Sequence, residues 1–156
     1  MHDHARRPRT LMLPPAPYAA AIFGGWWLNK HVEALPLDLG VANRPLSLVL
    51  LTLGLGLMAW TFLTFLRQRT TVNPYRGANR LCTAGPFRFS RNPIYLGDWL
   101  ILVGAALWMG SIWPLMFAPL IWPILRYGVI RHEEAHLEAR FGEEYRDYCR
   151  RVRRWI

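Results

Sequence analysis

Two short stretches of this chain set chemically capable side chains against long apolar blocks. The first, GPFRFSRNPIYLG, closes a loop over residues 70–93 that holds no Asp or Glu but carries Arg76, Arg80, Arg88 and Arg91. Gly85 and Pro86 read as a turn. Asn92 followed by Pro93 reads as a helix start, with the asparagine side chain as N-cap and proline at the first helical position. A helix start offers free N–H groups and the positive end of the helix dipole, where an anionic group is stabilised, although a plain structural cap uses the same residues. The second stretch is Glu133-Glu134, just past the last apolar block. Adjacent glutamates do not share a helix face, so at least one can turn toward the loop; as a bland alternative, both complement the dipole of a solvated first turn.

The elements that position these residues follow from composition. More than half of the 156 residues are hydrophobic, yet the formal net charge is +9. The two coexist because the chain separates into uncharged blocks and short arginine-dense ones. The arginines flank apolar blocks and line no single helix or strand face, which argues against a nucleic-acid surface and for anionic headgroups and cytoplasmic loops. Cys82 and Cys149 form no CxxC or Cys/His pair at ligand spacing, so unpaired thiols and no metal site are expected. The first apolar block lacks a small-residue cleavage site and is expected to stay as a membrane helix.

The sequence predicts an all-α integral membrane domain over residues 1–156 with about four transmembrane helices, at 14–35, 46–66, 94–110 and 112–130. Residues 44–67 carry no charge between Arg44 and Arg67 and form the strongest span. Residues 94–130 suit two tilted helices and a hairpin at Gly110 and Ser111. The first block is weaker, because Asn29, Lys30, His31 and Glu33 interrupt it; that polar cluster is expected at the outer interface. Arg6, Arg7 and Arg9 precede the first span and six arginines fill the loop after the second, whereas the alternate loops are nearly bare. Both termini are therefore expected in the cytoplasm. Past Ile130, Leu137, Phe141, Tyr145 and Tyr148 recur at helical spacing and predict a cytoplasmic amphipathic helix over 131–150, with Gly142 as the candidate break.

TTVNPYRGANRLCTAGPFRFSRNPIYLG, then a helical hairpin, then EEAHLEARFGEEYRDYCRRVRRW, resembles the isoprenylcysteine carboxyl methyltransferase family and its short bacterial relatives. The resemblance covers residues 70–155. It implies an S-adenosylmethionine-dependent methyltransferase of the bacterial inner membrane, with the cofactor in a cytoplasmic-side pocket and a lipophilic substrate entering from the bilayer. On the cofactor side it implies Val72, Asn79, Arg80, Leu81 and Cys82 before the turn, Phe87 as an aromatic contact, and Arg91, Asn92, Pro93, Ile94 and Tyr95 as the Arg-His-Pro-x-Tyr motif. It implies Glu133 as a cofactor contact from the other side, paired with Glu134. Arg131 and Glu134 are implied as the catalytic pair. Methyl transfer from a sulfonium is an in-line displacement, so alignment and exclusion of water suffice and no metal is required.

Two departures stand out. The motif histidine is Asn92, and the arginine that holds the substrate carboxylate in the eukaryotic enzymes aligns with Val129, with Arg126 and Arg131 on either side. The acceptor atom, oxygen, nitrogen or sulfur, stays open. A membrane reductase using NADPH and a non-catalytic membrane scaffold are the alternatives; the motif disfavours the first, and the second keeps the fold without turnover. The basic tail, Arg150, Arg151, Arg153 and Arg154, is expected to meet headgroups.

Overall fold

The structure, a computed structural model, describes residues 15–33, 35–68 and 80–156. Among these the chain is helical, with no strand. The helices are α1 (Ala16–His31), α2 (Asn43–Arg67), α3 (Pro93–Met109), α4 (Trp113–Met116), α5 (Ala118–Leu125), α6 (Arg131–Phe141) and α7 (Glu143–Arg151), with a π-turn at Arg126–Ile130 between α5 and α6.

The stretch Gly40–Arg67 is long and apolar enough to cross a membrane, and Pro93–Met109 is a shorter apolar helix. Only 17% of the most apolar part of the first is buried. Leu48, Val49, Leu53, Leu55, Phe62 and Leu66 are left exposed, which is the surface a lipid-facing helix presents. α3 lies almost residue for residue where the third apolar helix is expected. The fourth, expected as continuous over 112–130, is interrupted: Pro114, Pro119 and Pro123 remove backbone donors, and the chain runs as α4, a turn at Phe117, α5 and the π-turn. The C-terminal helix does break at Gly142, whose φ of 53° is left-handed.

α2 and α3 run antiparallel and pack more extensively than any other pair. Small residues allow it. A Cβ on Gly54 would come within 2.8 Å of the Gly97 carbonyl oxygen, and one on Gly104 within 2.9 Å of Leu51. Ser47 donates to the Gly104 carbonyl at 2.9 Å. This is the close backbone approach that membrane helices use where burial from water supplies no drive. α1 leans on α4 through Gly25, and on α3 through the edge-on pair Tyr18–Trp99 at 5.3 Å.

One end of the bundle is closed by backbone bonds between the α1–α2 loop and the α3–α4 turn, Leu37 N to Gly110 O and Ile112 N to Leu35 O. The polar cluster predicted near Asn29 lies at this end: Lys30 covers the Trp26 ring at 4.4 Å, and the Trp113 indole donates to the Glu33 carbonyl. At the other end the turn Gly85–Arg88 docks on α2. Gly85 adopts φ 59° beside Thr64, where a Cβ would meet the hydroxyl at 2.5 Å. The same end receives the start of α3, α6, α7 and the C-terminal strap, residues 152–156.

Candidate active site at the start of the third helix

The start of α3 carries the site. Pro93 occupies its first turn, as the Asn-Pro pair predicts, but Asn92 does not cap it with its side chain. Its Nδ2 instead donates to the Arg154 carbonyl at 3.0 Å, while its backbone N–H goes to Ser90 Oγ. The C-terminal strap thus takes the hydrogen bond expected within the cap. Arg91 N donates to the Arg153 carbonyl and Ser90 Oγ to that of Arg154, so the strap lies along residues 90–92.

The adjacent glutamates diverge as their spacing requires. Glu133 accepts from the Tyr95 hydroxyl at 3.0 Å. Burial pushes its carboxyl up to about 7; the Tyr95 hydrogen bond lowers it and the neighbouring Glu134 charge raises it. Glu134 is gripped by Arg154, Nε to Oε1 at 2.9 Å and Nη2 to Oε2 at 2.8 Å, and faces Arg91 at 3.4 Å. Arg91 also donates to the Cys149 sulfur at 2.8 Å, and its buried Nε has no partner. Both cysteines are free thiols, and burial pushes that of Cys82 up.

A cleft of about 290 Å³ opens beside Glu134, between α5, the π-turn and the strap. Its walls include Trp122, Tyr127, Ile130 and Trp155, and its charged groups are Arg126, Arg131, Glu134 and Arg154. Residues five apart diverge by about 140° in a regular α-helix. A π-turn closes over five residues, so Arg126 and Arg131 reach one cleft: the Arg131 N–H bonds the Arg126 carbonyl across this turn.

The expected residues therefore fall into two groups. Arg91, Asn92, Pro93, Tyr95, Glu133 and Glu134 meet around the start of α3, with Ile94 half-buried beside them and Arg131 on the cleft wall. Leu81, Cys82 and Phe87 lie instead in an apolar cluster with Phe65, Tyr145 and Tyr148, where the Tyr148 hydroxyl donates to the Phe87 carbonyl at 2.8 Å. Arg80 is exposed, and Val72 and Asn79 lie outside the described residues. Of the tail arginines expected at headgroups, Arg154 is corrected to a site residue, because it holds Glu134 and lines the cleft. Sequence reasoning missed it, along with Cys149 and the Trp122–Trp155 pair at 5.3 Å. All three depend on a chain reversal that spacing does not encode.

A short uncharacterized protein of Haemophilus influenzae is 36% identical over 63 residues, which is 40% of this chain and the whole of that one. No solved structure matches. A family model for phospholipid methyltransferases matches residues 43–144, from the first residue of α2 into α7 and across the whole start of α3, and the chain accordingly belongs to the phospholipid methyltransferase family.

Proposed function

We propose that this membrane methyltransferase uses S-adenosylmethionine to methylate a lipophilic nucleophile that reaches the start of α3 from the bilayer, in the manner of the isoprenylcysteine-type enzymes. The observation that carries the reading is the meeting of Tyr95–Glu133 with Arg91–Glu134–Arg154 beside an aromatic cleft. Four membrane passes with both termini in the cytoplasm, the arrangement that the arginine distribution favours, put this end of the bundle on the cytoplasmic side.

The donor groups suit the cofactor. Carboxylates can accept from its ammonium and ribose hydroxyls, guanidinium groups can pair its carboxylate, and Trp122, Tyr127 and Trp155 offer faces for its adenine. When bound, it supplies an electrophilic methyl on a sulfonium. The chain's own part is orientation and exclusion of water. Tyr95 fixes the Glu133 carboxylate, Arg154 fixes Glu134, and Arg126 and Arg131 line the cleft, with Arg131 and Glu134 as the substrate-side pair.

Calorimetry of the purified protein in detergent with S-adenosylhomocysteine tests the reading. Binding is expected, with about tenfold weakening or more in Glu133→Ala and Tyr95→Ala. Absence of binding in the wild-type protein, with stabilisation by NADPH in its place, overturns it.

A further inference from the structure

The cleft beside Glu134 has walls of two kinds. Trp122 and Leu125 belong to α5 and Glu134 to α6, helices held by their own backbone bonds. Arg154 and Trp155 belong to the strap, an irregular run that begins where α7 ends at Arg151.

The strap is fastened unequally on its two sides. Toward the start of α3 its main chain takes part: the Arg153 carbonyl accepts from Arg91 N at 3.0 Å, and that of Arg154 from Asn92 Nδ2 at 3.0 Å and Ser90 Oγ at 3.3 Å. Toward α5 and α6 the contacts are made by side chains. The Arg154 guanidinium forks onto Glu134, and Trp155 leans on Trp122 at 5.3 Å. All four of these side chains line the cleft, so this second seam is also its rim.

The two seams open at different cost. Ser90 and Asn92 are buried, and parting the strap from them leaves buried donors without acceptors. Parting Arg154 from Glu134 exchanges a part-exposed ion pair for water, and Trp122 already faces outward. Glu134 also keeps a cation when Arg154 leaves, because Arg91 stands 3.4 Å away. The side-chain seam therefore gives first, with the main-chain seam as its hinge.

We propose that the Arg154–Glu134 and Trp155–Trp122 contacts form a latch, and that the strap is a gate swinging on residues 90–92 to admit ligand to the cleft. The inference rests on the methyltransferase reading for the identity of the ligand and adds to it the step by which ligand enters and leaves. Opening precedes both events, so the strength of the latch sets association and dissociation alike and leaves affinity little changed. A side chain that merely holds the ligand sets dissociation alone.

Stopped-flow mixing of the purified protein in dodecyl maltoside with S-adenosylhomocysteine, followed by tryptophan fluorescence, gives both rate constants. Arg154→Ala and Trp155→Ala are each expected to raise both by about threefold to tenfold. Ser90→Ala, on the hinge side, should leave association within about twofold of the wild type. Unchanged association in the latch variants, faster dissociation alone, or an equal rise of association in Ser90→Ala overturns the inference. Where Arg154→Ala does not fold, Arg154→Lys decides, because it keeps the charge and loses the fork; unchanged association is then the negative result.

A second measurement needs no ligand. Hydroxyl-radical footprinting, read at each tryptophan by mass spectrometry, should label half-buried Trp155 faster in Arg154→Ala than in the wild type, with half-buried Trp99 on α3 as the unchanged reference. Equal labelling of Trp155 in the two proteins overturns the gate. Absence of S-adenosylhomocysteine binding in the wild type strikes the methyltransferase reading, and the footprint then decides the gate by itself.

Discussion

α3 takes part in two contacts built from opposite materials. Along its length it meets α2 through Gly97 and Gly104, with the Ser47 hydroxyl bonding across. At its start it meets α6 and the C-terminal strap through Asn92, Tyr95 and Arg91, where the bonds on the page are polar and several are charged. In lipid, burying an apolar side chain against another helix gains little over leaving it in hydrocarbon, so the first contact depends on shape. The second lies where water begins, and electrostatics there strengthen with partial burial. A shape-dependent contact fails when a methyl group is added. A charge-dependent one can trade one partner for another, which is what admission of a charged ligand requires.

The shape-dependent contact is where the largest effect is expected. Gly54→Leu places a side chain where even a Cβ stands 2.8 Å from a backbone oxygen of α3. The helices must separate, and no folded protein is expected by size exclusion in detergent. Gly54→Ala should cost about 1–3 kcal/mol. If Gly54→Leu gives a protein of unchanged thermal stability, the two helices do not approach as closely as the glycine pair demands.

The next effect is a pH dependence from Glu133. Its carboxyl is raised from an ordinary 4.5 to about 7 by burial, so between those values the folded state keeps a proton that the unfolded state has released. The contribution of this group to stability is therefore greatest below about 4.5, falls as pH rises to about 7, and levels off above, a loss of about 3 kcal/mol from this group. Glu133→Gln should flatten that decline in thermal unfolding. Tyr95→Phe removes the hydrogen bond that opposes the shift, so the decline should extend to higher pH. An unchanged profile in both variants would mean that the carboxylate is solvated.

The two contacts were unequally legible in the sequence. The extents of α2 and α3 could be read because uninterrupted apolar length and a Gly110 turn at the end of α3 are local signals, and α3 begins and ends within a residue of its expected bounds. The divergence of Glu133 and Glu134 follows from helix geometry alone. Hidden were the contacts that need the chain to return on itself: Arg154 on Glu134, the Arg154 carbonyl on Asn92, and Cys149 on Arg91. Local rules assign Asn92 to a cap and Arg154 to a basic tail, and both assignments lose to a longer-range hydrogen bond. The π-turn was equally invisible, since no composition rule marks where a helix takes five residues to close, and without it Arg126 and Arg131 would point apart.

A smaller effect is expected at Glu134. Glu134→Ala leaves Arg154 and Arg91 without their carboxylate. With side chains between 17% and 34% exposed, part of that pairing is screened by solvent. A loss of about 1–2 kcal/mol in thermal unfolding is expected, shrinking as salt is raised.

Glu143 is the control that makes Glu134 informative, and the smallest effect belongs to it. It accepts two N–H groups from Arg146, both on Oε2, and one from Arg150 on Oε1, so that it too is paired with two guanidinium groups, as Glu134 is with Arg154 and Arg91. The hydrogen bond and charge of Arg146 hold its carboxyl below the usual range, yet it stands in open solvent on α7. Water competes for each of those donors and salt screens the rest, so Glu143→Ala should leave the unfolding temperature unchanged at any ionic strength. Two carboxylates each paired with two arginines would then differ chiefly in what surrounds them. If the two variants instead lose equal stability, pairing itself and not the partial burial beneath α3 sets the strength of the polar contact, and the strap would hold no more firmly than any exposed helix face.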